Sequence, residues 1–530
     1  MIPARPVIQL IAGALALLGV SCAVAPAKLV RHQAIGDGSM RLERMSLHSV
    51  LELALENPNR DESARALGHF VSEWRSERGV DTTGEVASDV ESGVRYRVRF
   101  SDKGSFRFLP SYFDELRPAD DYRVKRIESQ TRDGIGAPLI AVRENTGREP
   151  IEVFYPPEAI SREVTAVIRP GGEQDGVRNV EIELIGTLAH ESVVIDGRRE
   201  PLAADFSAAL AAFLERAKAL SQSEVADLLS AMPKRHPQLY LMEPYDPGKE
   251  PLLMIHGLLD SPLTWAEMTN QLRSDPAFRQ RYQVWHYLYN TSAPALYSGR
   301  ILRTQLAELR GMIDPGGSDP ASKEVTVVAH SMGGLVTRSL ISSPGNAFWE
   351  AGFTLPISAL KLSDSDRETL QDAFFWKADP SVHRVVFICV PHRGSEFADR
   401  PIVQFARNLV KPPSAFREFY ERISTANPGA FTPAYDELGR GELDSVGSLS
   451  PEQPTLQILV DIPLGYPVEI FSLIGDRGLP GELEESSDGV VPYSSSHLGD
   501  VLSETILPVG HSCLQESETI AEVQRIVKLP

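Results

Sequence analysis

The sequence has few cysteines, a deficit of basic charge and no hydrophobic run long enough to cross a bilayer. Three cysteines among 530 residues, Cys22, Cys389 and Cys513, are too few for a disulfide framework. Lys and Arg total 53 against 72 Asp and Glu, a formal net charge of −19, so we expect no nucleic-acid partner, which would need a basic face. The apolar run Val7–Val20 would span about 21 Å as a helix, short of the ~30 Å bilayer core.

The sequence also lacks repeats and the motifs that would indicate a bound metal or cofactor. We find no internal repeats, no cluster of metal ligands and no phosphate-binding glycine loop, so we expect no metal and no cofactor. Hydrophobic residues make up 42% of the chain and charged residues 24%, which is typical of a folded protein rather than a disordered one.

The first 27 residues have the pattern of an export signal. Arg5 precedes the apolar run, and the small residues of Ser21–Ala27 follow it. A basic start, a short apolar run and a small-residue site together predict export, to the cell envelope or as a secreted protein.

Two processing sites compete in this signal. Leu17–Cys22 resembles a bacterial lipobox, although Gly19 stands where a leucine-like residue is usual. Lipidation of Cys22 would attach the protein to a membrane. The alternative is cleavage after Ala27, with Ala25 and Ala27 as the small pair.

The remaining chain is predicted to form two domains that meet near residue 235. In 28–235, apolar residues recur at helical spacing over Ser46–Leu55 and Asp61–Trp74, and Val94–Phe108 alternates like a strand pair. These patterns predict a smaller, mixed α+β accessory domain of unknown role. A proline-dense segment follows. Because proline interrupts regular elements, this segment indicates a connection between the two domains.

Residues 236–530 alternate between strand-like and helix-like segments, which predicts an α/β fold. Leu252–Ile255, Val325–Ala329 and Val385–Val390 are almost wholly apolar, as strands of a parallel sheet buried on both faces must be.

The strongest catalytic signal is the turn that follows the second of these strands. In Val325–Val336, a β-branched strand leads through Ala-His-Ser-Met-Gly into a helix. This is the pattern of a nucleophile elbow, in which small neighbours such as Gly333 allow a strained serine to present its hydroxyl at the sheet edge. Ser331 is therefore the predicted nucleophile. Ala329 replaces the usual leading glycine and keeps that position small.

A second signal lies at the end of the first strand, in His256 and Gly257. In folds that contain a nucleophile elbow, the loop after this strand supplies one backbone donor of the oxyanion hole. Gly257 lets the backbone turn close to the substrate carbonyl. The predicted donors are the N–H groups of Leu258 and Met332. For His256 we favour a structural role in orienting the loop.

Three segments carry a family resemblance. Pro251–Leu259, the run AHSMGGLVTR at Ala329–Arg338, and Val390–Ser395 resemble the serine lipase/esterase branch of the α/β-hydrolase superfamily, both bacterial triacylglycerol lipases and inositol-deacylase-like esterases. The resemblance covers roughly 238–530. It implies a mostly parallel central sheet with helical cap insertions, which would lie at about 344–380 and 396–463.

The acid and the base should follow the serine in that order. Asp488, in Ser-Asp-Gly-Val-Val-Pro, is similar to the acid loop of such lipases, with Asp476 as the runner-up. His511, in Val-Gly-His-Ser before the last helix, is the predicted base, with His497 as its rival.

Together these residues predict a serine carboxylic-ester hydrolase, acting on an ester or lipid substrate. An amidase, thioesterase or acyltransferase with the same triad is the alternative within the enzymes. From another class, a cell-envelope binding or scaffold protein could keep a residual hydrolase fold. The aromatic residues of the second insertion could serve acyl chains or only the core of the cap.

Overall fold

The computed structural model describes residues 28–31, 41–56, 61–87, 93–102, 109–217, 237–258, 260–395, 413–443 and 447–530. The predicted export signal with Cys22 lies outside the described residues, as does part of the second predicted insertion. Among the helices of the described ranges, none is long and apolar enough to cross a membrane.

The described chain forms two compact units. One contains residues within Ala25–Ser221 and Ala266–Arg281, and the other contains residues within Gln222–Trp265 and Tyr282–Pro530. The strands, in chain order through both units, are β1 Lys28–Arg31, β2 Thr83–Ala87, β3 Arg95–Asp102, β4 Glu115–Pro118, β5 Tyr122–Lys125, β6 Thr131–Arg132, β7 Ala137–Arg143, β8 Ile160–Gln174, β9 Val177–Gly186, β10 Ser192–Ile195, β11 Arg198–Pro201, β12 Ala204–Asp205, β13 Gln238–Leu241, β14 Glu250–Ile255, β15 Tyr282–Leu288, β16 Val325–His330, β17 Val382–Ile388, β18 Glu469–Gly475 and β19 Ser503–Leu507.

The first unit is built on a six-stranded sheet in the order β2-β3-β9-β8-β7-β4. The β3–β9 pair is parallel and the other pairs are antiparallel. Helices Leu47–Glu56 and Asp61–Arg78 share one apolar core with this sheet, in which Phe70 and Trp74 are fully buried. Residues 208–217 are also helical.

The predicted strand pair over Val94–Phe108 is only partly right. Described residues there form the single strand β3, whose antiparallel partner is β2, earlier in the chain. Side chains alternate along β3 as predicted, with Tyr96, Val98 and Phe100 buried. The alternation predicted which face of the strand is buried, but the choice of partner strand depends on contacts that lie outside the segment.

Residues 266–281, although they follow the first strand of the predicted catalytic domain, pack with the first unit. Their helices are Ala266–Ser274 and Pro276–Arg281. Arg273 pairs with Glu163 at 3.1 Å, both side chains being buried, and Arg279 pairs with Glu191 at 2.7 Å. A buried charge needs a partner, and in these two ion pairs the partners come from the first unit.

The second unit is built on a seven-stranded sheet in the order β13-β15-β14-β16-β17-β18-β19. The β13–β15 pair is antiparallel and the other pairs are parallel. All residues of β14 and β16 are buried, as the apolar runs in the sequence predicted. The mostly parallel sheet with intervening helices confirms the α/β class.

Helices of the second unit follow the strands along the chain. They are Ala295–Ile313, Met332–Ile341, Ala347–Gly352, Asp364–Phe374, Ser414–Ala426, Asp436–Gly439, Pro454–Asp461, Tyr493–Ser496 and Ser517–Val527. The two segments predicted as cap insertions contact each other, since the rings of Phe353 and Phe431 lie 4.8 Å apart and the Thr354 N–H donates to the Ala430 carbonyl at 2.9 Å.

Candidate active site

Ser331 lies on a strained turn between β16 and the helix Met332–Ile341. Its φ of +52° and ψ of −128° lie in a region that residues with a side chain rarely adopt. Such strain persists only where the surrounding structure enforces it, which is typical of functional residues.

Glycines allow the turn to pack against the neighbouring strand. A Cβ atom at Gly333 would lie 2.4 Å from the carbonyl oxygen of Ile255 and 2.5 Å from that of His256. A Cβ at Gly257 would come within 3.0 Å of the Ser331 Cβ. The two glycines therefore let the elbow and the loop after β14 approach each other.

Three side chains that are far apart in the sequence form one hydrogen-bonded chain. The Ser331 hydroxyl donates to His511 Nε2 at 2.9 Å, and His511 Nδ1 donates to Asp488 Oδ2 at 2.7 Å. All three are buried, with exposed fractions of 5%, 6% and 4%. The structure thus brings together the predicted nucleophile, base and acid.

The acid loop holds the Asp488 carboxylate in place with backbone donors. Its Oδ1 accepts hydrogen bonds from the N–H groups of Val490 and Val491, at 2.8 and 2.7 Å. The His511 N–H donates to the Asp488 carbonyl at 3.0 Å, so the two loops are also joined through the main chain.

The two rival residues lie elsewhere in the hydrogen-bond network. The Asp476 side chain accepts from the Gly478 N–H at 2.8 Å, within its own turn. His497 pairs with Glu504 at 2.8 Å, and its ring is partly exposed. Neither residue is bonded to Ser331 or His511 in the described structure.

His256 has the contacts expected of a residue that orients the loop. Its ring stacks on Tyr289 with centroids 4.4 Å apart, and its Nδ1 donates to the Gly257 carbonyl at 3.0 Å. The Tyr289 hydroxyl donates to the His256 carbonyl at 2.7 Å. Burial lowers the pKa of His256 to about 4, so the ring is neutral.

The predicted oxyanion donors lie at the start of the two turns. Met332 begins its helix, so its N–H has no acceptor within the helix and lies at the positive end of the helix dipole. Leu258 follows Gly257 and is half-buried, and its neighbour Leu259 lies outside the described residues. Their role as a pair remains a prediction.

A contact that supports His511 could not be predicted from the sequence. His330 Nε2 donates to the His511 carbonyl at 2.8 Å, across 181 positions of sequence. Burial, and after it the nearby His511, lower the pKa of His330 to about 3. A histidine directly before the predicted nucleophile was the available signal, but a local pattern does not predict a contact with a residue 181 positions away.

Two thiols lie beside the acid and the base. Cys389 and Cys513 are buried, with their sulfurs 3.8 Å apart. Within the described chain, Cys389, Asp488 and His511 form a group of possible metal ligands whose atoms lie within 4.8 Å of one another. Because Asp488 and His511 are bonded to each other, this geometry is explained without an ion.

The solved structures to which this chain is similar include lipases and esterases. The mature lipase BlEst2 of Bacillus licheniformis is 17% identical, with a TM-score of 0.32, over 55% of this chain and 97% of its own. EstA of Clostridium botulinum is 13% identical, with a TM-score of 0.32, over 55% and 90%. A carboxylesterase of Nitrososphaera gargenis is 13% identical, with a TM-score of 0.29, over 56% and 96%.

No protein-family model matches the chain. No curated protein matches it. What the site can do is therefore decided by its own residues and their geometry.

The environment sets the charges of the acid and the base. Burial alone would lower the pKa of His511, but the charge and hydrogen bond of Asp488 outweigh it and raise the pKa above the ordinary 6.5. Burial alone would raise the pKa of Asp488, but His511 and the two backbone donors hold it below 3.8. Asp488 is therefore ionised at neutral pH and ready to stabilise an imidazolium.

We expect the rate of a reaction that uses His511 as a base to fall on the acid side. The neutral imidazole is the active form, so kcat/KM should decline as the pH falls through a pKa above 6.5. The measurement is kcat/KM between about pH 5 and about pH 9, a range that contains the ordinary histidine pKa of about 6.5. A rate that is constant from neutral pH down to the titration range of free carboxyl groups would contradict this assignment.

We expect Gly333→Ala to destabilise the elbow. Its methyl group would overlap two backbone carbonyls of β14 and its loop, which cannot rotate away as a side chain could. Such overpacking costs about 1–3 kcal/mol of unfolding free energy. Urea denaturation measures this cost, with Gly311→Ala as the matched control, because a Cβ there would meet no atom within 4 Å. Equal urea midpoints for the two variants would show that the close approach of the elbow to β14 and its loop does not contribute to stability.

Proposed function

We propose that this protein is a serine carboxylic-ester hydrolase with an α/β-hydrolase fold, acting on lipid-like esters. The observation that carries the proposal is the buried hydrogen-bonded chain from Ser331 through His511 to Asp488, with the serine on a strained strand-to-helix turn. Strain and alignment of this kind are typical of a functional site, so they argue against a scaffold protein.

In the proposed reaction, the Ser331 oxygen attacks the acyl carbonyl while His511 Nε2 takes the hydroxyl proton. Asp488 keeps the Nδ1 proton on the far side of the ring and stabilises the imidazolium that forms. The 2.9 Å contact between Ser331 and His511 and the 2.7 Å contact between His511 and Asp488 support this proton path.

The attack gives a tetrahedral intermediate with a negatively charged oxygen. The backbone N–H groups of Leu258 and Met332 would stabilise this oxygen, each lowering the barrier by about 3 kcal/mol. The intermediate then collapses to an acyl-enzyme. His511 donates its proton to the leaving alcohol. It next activates a water molecule, which releases the acid and restores Ser331.

Lipid-like esters are favoured by the apolar character of the two insertions. Phe416 and Tyr420 are buried in the second insertion, with ring centroids 4.9 Å apart, and Phe353 and Phe431 join the two insertions. These aromatic residues form a cap core, and some of them also line an apolar cavity described below.

The proposal is tested by turnover of p-nitrophenyl esters with acyl chains of increasing length. We expect the wild type to hydrolyse them, with a preference for medium or long chains. The corresponding p-nitroanilide and a thioester measure the competing amidase and thioesterase activities. A lack of ester turnover, or a thioester or amide preference, would overturn the assignment.

A covalent probe locates the nucleophile in the same preparation. A p-nitrophenyl phosphonate should add one phosphonyl group to the protein, with release of one nitrophenolate, and the adduct should map to Ser331. Stable labelling at another serine would show that the triad is not the reactive site.

We also propose that the protein is exported, with Cys22 lipidated or the chain cleaved after Ala27. The mass of the mature N-terminus from native cells distinguishes the two sites. An unprocessed N-terminus would refute export by this signal.

A further inference from the structure

An apolar cavity of about 240 Å³ lies within the second unit. It is bounded by the start of the helix Ala295–Ile313, by Leu335 on the elbow helix, and by residues of both insertions, including Phe416 and Leu456. Its described lining contains none of the three triad residues. It is thus a space that the proposed reaction does not account for.

The size of the cavity matters because protein interiors are normally close-packed. An apolar cavity of about 150 Å³ stays dry and can bind benzene, and an empty space costs stability in proportion to its volume. A cavity of 240 Å³ is large enough for an aliphatic chain, which would restore the missing contacts.

One charged side chain borders this apolar space in the described lining. Arg300 forms part of the wall, with its guanidinium carbon 5.9 Å from the ring centroid of Tyr297. Within the described ranges, no carboxylate pairs with it. By contrast, Arg303, one turn later, donates to the Asp372 carbonyl at 2.8 Å. Arg300 is therefore available for an anion.

Some residues of the lining reach the surface. Ala415 is exposed, and Arg300 and Phe419 are half-buried, whereas Leu335, Phe416 and Leu456 are buried. A ligand entering past Ala415 would place its apolar part inside and keep a charged end near the guanidinium.

From this arrangement we propose that the cavity binds an aliphatic carboxylate, with the chain in the apolar space and the carboxylate on Arg300. Arginine suits this role because its planar donors match a carboxylate in a two-point contact. A carboxylic acid with an alkyl chain is also the product class of lipid-ester hydrolysis. Binding is nevertheless a separate property, because it does not require Ser331.

The test is calorimetric titration of sodium dodecanoate, below its micelle concentration and at pH 8, into full-length Ser331→Ala protein. Dodecanol serves as the uncharged probe with the same chain. We expect Arg300→Gln to weaken dodecanoate binding by about tenfold, the scale of one charged hydrogen bond, and to change dodecanol binding little. Ala415→Trp should weaken the binding of both probes by blocking the opening.

Arg199→Gln is the matched control, because Arg199 is exposed in the β10–β11 hairpin and losing its charge should not alter binding. Circular dichroism confirms that each variant is folded. Dodecanoate affinity that is unchanged in Arg300→Gln and Ala415→Trp, or no binding at all, would overturn the site. Binding without ester turnover by the wild type would leave the site standing and refute the proposed function alone.

Discussion

Replacing Ser331 with alanine should lower kcat for ester hydrolysis by about 10⁶-fold, because the variant has no oxygen to form the acyl-enzyme. The residual rate should still exceed the uncatalysed one by about 10³-fold, since the backbone donors and the substrate contacts remain. Initial rates with a p-nitrophenyl ester, at enzyme concentrations high enough to detect the residual activity, measure the effect.

A serine on the same helix provides the matched control. The Ser339 hydroxyl is buried and donates to the Val336 carbonyl at 2.7 Å, within the helix. Ser339→Ala removes an equally small group from the same element, and we expect near wild-type kcat. If Ser331→Ala kept more than about one-hundredth of the activity, the nucleophile would be another group.

The second large effect is expected for Asp488→Asn, which should lower kcat by about 10⁴-fold while keeping the shape of the site. An amide cannot stabilise the imidazolium as a carboxylate does, and its NH₂ group favours the wrong tautomer of His511. Steady-state rates and the pH profile are measured together.

The pH profile of this variant has a definite direction. In the wild type, Asp488 raises the pKa of His511 against the effect of burial. Without that charge, burial dominates, so the pKa falls and the acid limb of the profile should move to lower pH. A limb that stayed in place, or moved up, would show that Asp488 does not set the charge of the base.

Asp476→Asn separates the two candidate acids. Its side chain accepts one hydrogen bond inside the turn at Gly478, so the substitution should leave both kcat and the acid limb near their wild-type values. A loss of about 10⁴-fold in Asp476→Asn, with normal activity in Asp488→Asn, would show that Asp476 and not Asp488 is the acid.

Several parts of the second unit could be predicted because their causes are local. A β-branched apolar run, a Ser between small residues and a following helix are all contained in Val325–Val336. The same holds for the buried strands β14 and β16, whose apolar residues show no alternation. Such features need no information about distant segments.

Other features depend on which segments meet in space. The sequence could not decide between Asp488 and Asp476 by spacing, because both follow β18, and only Asp488 contacts His511. Likewise the partner of β3 proved to be β2, and residues 266–281 packed through Arg273 with the first unit.

The sequence alone determined the α/β class of the second unit and the strained turn at Ser331, because apolar runs, small residues and turns act over a few positions. Only the tertiary structure decided which carboxylate contacts His511, that His330 donates a hydrogen bond to the His511 carbonyl, and that Cys389 contacts Cys513. These contacts join residues far apart in the chain, so they follow from the packing of whole elements and leave no local pattern.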